Sequence, residues 1–251
     1  MRPYPLSVQL YSLREECKKD FIGVLKKAAS WGYHGVEFAG LHGQKPADIR
    51  RIIDDLGLKA SSVHGPVPTA ENVSQIIDEA KTLGYTRCIS GPKPEYIDSY
   101  ENTLKTAESY ENGARLLKKA GLMFGVHNHE WEFNRVFNGK TPHDIIKEKA
   151  PSVFFQLDTY WVKVGHAEPA TIIRKCAGRV PLLHIKDGLL SSERTMTAVG
   201  AGKMDWAPVM DAADASGVEW LVVELDACKT DMAQAIKESR EWLVSKGYVK
   251  A

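Results

Sequence analysis

Six times along this chain a helical pattern stops at a glycine and an apolar, β-rich run follows. The junctions are Trp31-Gly32-Tyr33, Leu56-Gly57-Leu58, Leu83-Gly84-Tyr85, Ala120-Gly121-Leu122, Ala177-Gly178-Arg179 and Ser216-Gly217-Val218. A seventh, Ala150-Pro151-Ser152, breaks with proline. Glycine suits the left-handed position just past a helix end, and proline cannot continue a helix. Seven helix-to-strand junctions after an opening strand at Ser7 to Tyr11 imply eight strands. The others run from Gly35 to Phe38, Ala60 to His64, Arg87 to Ser90, Leu122 to His129, Val153 to Asp158, Pro181 to Lys186 and Trp220 to Asp226.

Most of these runs are continuously apolar rather than alternating, as parallel strands covered on both faces should be. Amphipathic stretches such as 47–53 and 171–176 separate them, and a last helix is expected from Asp231 to Lys246. Strict β-α alternation permits an open doubly wound sheet or a closed barrel. Eight strands in 251 residues favour an α/β fold of the (β/α)8 type, a single TIM-barrel domain over residues 1–251. Barrel enzymes carry their sites at the C-terminal ends of the strands.

Those ends are polar here: Gln9, Glu37, His64, His127 with His129, Gln156 with Asp158, His184 with Lys186, and Glu224 with Asp226. A lone strand-end carboxylate is ordinarily a helix cap or ion-pair partner, and a lone histidine a hydrogen-bonded core residue. So many at one end of apolar strands point to a site, because each is costly to bury unpartnered. Residues two apart on a strand share a face, so carboxylates and an imidazole converge at the mouth. Crowded carboxylates repel unless one holds a proton or a cation intervenes. A divalent metal ion removes the conflict, and the donor set suits Mn²⁺, Mg²⁺, Co²⁺ or Zn²⁺. Glu132, three positions past His129, is expected in the loop, curling back over the mouth.

Two other strings fail on inspection. His127-Asn128-His129 lacks the ββα hairpin of HNH nucleases. Gly200-Ala201-Gly202-Lys203 lacks the preceding glycine of a P-loop and has Met204 where Ser or Thr belongs. The glycines do follow strand seven, where barrels often bind phosphate, so a small phosphorylated ligand stays open. A net charge of +1 with interspersed signs gives no nucleic-acid footprint. No apolar run is long enough for a membrane span, no secretory h-region opens the chain, and Cys17, Cys88, Cys176 and Cys228 form no CxxC pair. A cytoplasmic protein is expected, and a homo-oligomer is compatible with the sequence.

As a set, Val8-Gln9-Leu10-Tyr11-Ser12-Leu13-Arg14, His127 through Phe133, Gln156-Leu157-Asp158-Thr159-Tyr160-Trp161, His184-Ile185-Lys186-Asp187, Gly200-Ala201-Gly202 with Asp205-Trp206, and Val223-Glu224-Leu225-Asp226 resemble the xylose-isomerase-like barrel superfamily. The likeness is to its sugar phosphate isomerase/epimerase branch, related to tagatose 3-epimerase, inosose dehydratase and endonuclease IV. The resemblance implies one divalent metal held by Glu132, Asp158, His184 and Glu224. In the tagatose-epimerase type the first glutamate lies within strand five, where His127 stands here, so His127 or His129 is an alternative to Glu132. It further implies a small sugar or polyol substrate and proton abstraction beside a carbonyl through an enediolate. Glu132 and Glu224 would be the catalytic pair, with His64, His127, His129, Trp161, Lys186 and Glu37 as substrate contacts. Elimination from a keto-sugar, keto-glycoside or inosose begins with the same step and is the alternative outcome. A DNA-repair nuclease would need basic loops and more metal ligands, and a non-catalytic sugar-binding barrel would tolerate loss of the glutamates.

Overall fold

The computed structural model describes residues 2–191 and 193–251. Eight parallel strands close into a barrel: β1 Leu6–Gln9, β2 Gly35–Phe38, β3 Lys59–His64, β4 Arg87–Ser90, β5 Met123–His127, β6 Phe154–Asp158, β7 Leu182–Ile185 and β8 Trp220–Val223. Each pairs with its sequence neighbours, and β1 closes the ring onto β8 through Leu6↔Leu221, Ser7↔Val222 and Val8↔Val223. Helices pack outside, among them Arg14–Ser30, Pro46–Asp55, Val73–Leu83, Tyr100–Lys118, Trp206–Ser216 and Met232–Ser245. The architecture is a single (β/α)8 barrel.

All six junction glycines have positive φ, between 70° and 86°. At Gly84 and Gly217 the left-handed residue itself closes the helix, its N–H reaching Ala80 O and Ala213 O. A side chain at such a φ would be strained. The strands begin within a residue of where these junctions place them; β2, β3, β4 and β6 end as expected, and the other four end earlier than the sequence suggests. Leu10–Leu13 forms a 3-10 turn rather than strand, β5 stops at His127, and β8 stops at Val223.

The barrel wall has two faces. Side chains such as Val36, Phe124, Phe155, Leu157, Leu183 and Val223 are buried beneath the helices. Burying each stabilises the fold by about 1.5–3 kcal/mol relative to exposure. Inside, Ile89, Phe154, Leu182 and Val222 form a separate small cluster, with Trp220 against it. Phe154 and Leu182 precede Gln156 and His184 by two positions, so this apolar plug lies below the polar residues of the same inner faces. No helix is long and apolar enough to cross a membrane among the described residues, and all four cysteines are free.

Candidate active site at the barrel mouth

Strand register brings the polar residues level. Asp158 pairs with His184, His184 with Val222 two residues before Glu224, and His127 with Gln156. Beyond β6 the chain turns straight into the short helix Thr159–Val164, whose N-cap is Asp158. Asp158 Oδ1 accepts the Trp161 N–H at 3.0 Å. Asn128 grips the same residue's backbone, accepting the Asp158 N–H at 3.0 Å and donating to its carbonyl at 3.3 Å. With Oδ1 committed to the cap, Oδ2 is left for the site. His127, Asp158, His184 and Glu224 are all buried, and one ligand atom from each lies within 4.8 Å of the others.

Beneath this group sits Glu37, fully buried and surrounded by donors. Its Oε1 accepts from Gln9 Nε2 at 2.6 Å and His184 Nε2 at 2.6 Å; its Oε2 accepts from Gln156 Nε2 at 2.5 Å and from Ser62 Oγ. Burial alone would raise its pKa, but the His64 and His184 imidazoles and the bonds from His184 and Ser62 hold it at about 2. His184 bridges Glu37 to Glu224, its Nδ1 lying 2.7 Å from Glu224 Oε2. Burial would lower its pKa; the Glu224 and Glu37 carboxylates outweigh that and raise it to about 10.

Lys186 Nζ lies 2.9 Å from Asp158 Oδ2, 2.7 Å from Glu224 Oε2 and 2.6 Å from Asp226 Oδ2. Burial disfavours the ammonium, yet Asp158, Glu224 and Asp226 raise its pKa well above the ordinary value. Glu224 is likewise held ionised against burial by Lys186 and His184. Asp158 is raised to about 6, chiefly by burial, with Lys186 and His184 opposing. His127 is pushed well below its ordinary value by burial, then by His184, His129 and His64.

These residues suit a divalent cation. Glu37, Asp158, Glu224 and Asp226 face Lys186 and His184, so even with His184 protonated four anions against two cations leave two negative charges. Asp158 Oδ2, poorly aligned to Lys186, and His127 Nδ1 are buried without a hydrogen-bond partner among the described residues. Two carboxylates and two imidazoles are ordinary ligands for Zn²⁺ or Mn²⁺.

Glu132, expected at the metal, stands outside the four-residue group. After His127 the chain makes a 3-10 turn, Glu130–Glu132, and Glu132 Oε2 folds back onto the His129 N–H at 2.9 Å. Burial pushes its carboxyl well above the usual range. The local cap holds Glu132 through Oε2 while Oε1 stays buried without a hydrogen-bond partner among the described residues, and it is His127 that stands beside the other three. Glu37, expected against substrate, is sealed below and orients His184 instead. Lys186 is engaged by three carboxylates. Trp161 is 8% exposed, with Lys186 Nζ 5.6 Å and the Arg194 guanidinium 5.7 Å from its ring centroid, so it offers no open face to a sugar.

Above the group opens a pocket of about 270 Å³ lined by Tyr11, Ala39, His64, Gly91, His127, His129, Glu224 and Asp226. His129 stacks on Trp131, with centroids 4.2 Å apart, and burial and Lys186 lower its pKa to about 3. His64 stacks on His184, and its Nε2 lies 2.6 Å from Gln156 Oε1. Because Gln156 donates its amide to Glu37, its Oε1 accepts from His64. That bond fixes the proton on Nε2 and leaves the Nδ1 lone pair. Sequence reasoning counted Gln9 and Asp226 among the polar strand ends without giving either a role, and passed over Tyr11 and Asn128. Asn128 between two histidines and Asp226 two positions past Glu224 were the available signals.

The glycines after β7 form an anion cradle that is already filled. Asp187, 1% exposed, accepts N–H groups from Gly188 (2.8 Å) and Met204 (3.1 Å) on Oδ1, and from Gly200 (2.9 Å) and the Trp206 indole (3.0 Å) on Oδ2. A Cβ at Gly202 would fall 2.0 Å from Asp187 Oδ1, so only glycine fits. Asp187→Ala will leave these buried donors unpaired and destabilise the protein by on the order of 2–3 kcal/mol in urea unfolding. An unchanged midpoint would show that the cradle does not depend on this carboxylate.

Fold and site together define a (β/α)8 barrel whose mouth gathers a histidine–carboxylate cluster. The model of the xylose isomerase-like TIM barrel family matches residues 25–246, and the chain belongs to that family. No curated protein matches it in sequence. Among solved structures, a sugar phosphate isomerase/epimerase from Parabacteroides distasonis is 25% identical, with a TM-score of 0.82 over 100% of this chain and 96% of that one. An L-ribulose 3-epimerase is 18% identical, with a TM-score of 0.70 over 99% and 95%. The IolI protein with a zinc atom is 14% identical, with a TM-score of 0.73 over 97% and 98%. The last two likenesses are of fold.

Proposed function

We propose that the protein is a metal-dependent isomerase or epimerase of unphosphorylated sugars, working by proton abstraction beside a carbonyl. The observation that carries this reading is the buried group His127, Asp158, His184 and Glu224, with its members His127 and Glu224 opening onto a pocket also lined by Tyr11, His64, His129 and Asp226. Those four residues would hold the metal, which when bound supplies electrophilic stabilisation to a carbonyl and its developing oxyanion. The likeness to a sugar phosphate isomerase/epimerase supports the reaction class. Asp187 in the loop cradle argues against a phosphate group there.

Glu224 and His64 are the proton-handling groups of this reading. Glu224 lines the pocket as a carboxylate, and Lys186 and His184 keep it ionised. His64 presents a lone pair at Nδ1 because the Gln156–Glu37 relay holds its other nitrogen. His129 is neutral and suited to hydrogen-bonding a sugar hydroxyl. Glu132, turned away and neutral, takes no proton from substrate and instead braces the backbone of His129.

The test is NMR in D₂O with the Mn²⁺-loaded protein and a panel of free ketoses and keto-glycosides. Deuterium at the carbon beside the carbonyl, with appearance of the epimer or isomer, is the expected result. His64→Asn should slow exchange by about 10²–10⁴-fold. Loss of water or of the glycosyl group would make the protein a lyase, and absence of exchange with every substrate would overturn the reading.

A further inference from the structure

Beside the reaction pocket lies a second one, of about 200 Å³, and His64 lines both. Gly40, next to Ala39 of the first pocket, also borders it. It runs between the outer side of β3 and β4 and the helix Val73–Leu83, and its walls are Val63, Pro66, Ile76, Tyr85 and Cys88. The helix opens this space because it buries only Ala80 and Leu83 fully, both near its C-terminal end. Val73, Ile76 and Ile77, in its first half, are only partly covered.

Most polar groups at the edge already have partners. Tyr85 Oη donates to Glu79 at 3.1 Å. Asn72 accepts the Thr69 N–H at 2.8 Å and donates to Val67 O at 3.0 Å. Cys88 is buried, and burial raises its thiol to about 12, so it acts as an apolar wall. Gln75 and Glu79 also border the space from the helix, but against the Val63, Pro66, Ile76 and Cys88 wall a sugar's hydroxyls would lose water without finding donors or acceptors. An apolar group is what such a space favours.

The geometry points to a subsite for an aryl or alkyl substituent of the substrate: the sugar sits over the His127–Glu224 cluster, and its apolar substituent passes His64 into the cleft beneath the helix Val73–Leu83. This deepens the sugar reading above and rests on it for what occupies the first pocket. The substrate class becomes an unphosphorylated keto-sugar joined to an apolar group, and an upstream oxidation of a glycoside's hydroxyl to a ketone is the class of reaction that would supply it.

The experiment compares phenyl β-glucoside with methyl β-glucoside on the metal-loaded protein, by calorimetry and by NMR of the Ile76 and Val63 methyl groups. Phenyl glucoside should bind roughly tenfold or more tightly, the gain expected from burying one ring. It should also shift the Ile76 and Val63 methyl signals, whereas methyl glucoside should not. Ile76→Trp, at a partly buried helix position and with folding checked by circular dichroism, should fill the cleft and abolish the preference while leaving methyl glucoside affinity unaltered. Equal affinities in the wild type, or a phenyl preference that survives Ile76→Trp, would overturn the subsite. If methyl glucoside fails to bind but phenyl glucoside or phenol still shifts Ile76 and Val63, the subsite stands and the sugar reading falls. If no aryl probe shifts these methyl groups, the subsite falls whatever the sugar does.

Discussion

Glu224→Gln will bind Mn²⁺ or Zn²⁺ roughly 100-fold or more weakly than the wild type, while Glu132→Gln will bind either metal with unchanged affinity. The contrast follows from where the two carboxyls sit. Glu224 Oε2 lies 2.7 Å from both His184 Nδ1 and Lys186 Nζ, inside the four-residue group. Glu132 spends one oxygen on the His129 N–H, and burial raises its pKa. The same account fixes a pH dependence. A ligating imidazole must be neutral, and His184 in the metal-free protein keeps its proton up to about pH 10. Metal binding at neutral pH therefore displaces one proton, and affinity rises by about tenfold per pH unit until His184 titrates. Calorimetry in buffers of different ionisation enthalpy counts that proton directly. Equal losses in the two variants, or no proton release, would contradict the assignment.

Glu37→Ala will destabilise the metal-free protein by about 3–5 kcal/mol, the largest single effect on stability expected in the chain. The substitution strands four donors, from Gln9, Ser62, Gln156 and His184, and removes the counter-charge that holds His184. Its sign with pH is definite. The Glu37 pKa is depressed from an ordinary 4.5 to about 2, so its stabilisation is complete above 4.5 and is lost as pH falls through about 2. Between those values the wild type should lose stability that Glu37→Ala never had, and the two urea-unfolding curves should converge. Parallel acid limbs would mean that Glu37 is not ionised in the folded protein.

The barrel was legible in the sequence because its signals are local. A glycine after each helix and a doubly apolar strand depend on residues within a few positions, and the six glycines and eight strands stand where the pattern puts them. Asp158, His184 and Glu224 could be anticipated as neighbours for a similar reason: side-chain alternation and register leave little choice once strands are assigned. Glu132 was harder. Its spacing from His129 reads equally as a loop ligand reaching inward and as a cap folding back, and the hydrogen bond to the His129 N–H decides between them. Glu37 was ambiguous because its partners Gln9, Gln156 and His184 come from three other strands, the first from the neighbouring β1 but the other two from β6 and β7, which do not pair with its own. Asp187 was legible only as the last residue of the His184–Asp187 motif, 13 positions before Gly200, yet its four hydrogen bonds make it the centre of that loop.

In the proposed site the histidine-rich end of β5 contributes through His127, within the strand, with Glu132 bonded to the His129 N–H behind it. The central claim is that His127, Asp158, His184 and Glu224 form one divalent metal site. Anomalous diffraction from a crystal soaked in Zn²⁺ tests this most directly. The account predicts one peak at about 2.0–2.2 Å from those four side chains, with Glu132 still bonded to the His129 N–H. A peak ligated by Glu132 with His127 withdrawn, or no peak at the group, would contradict it.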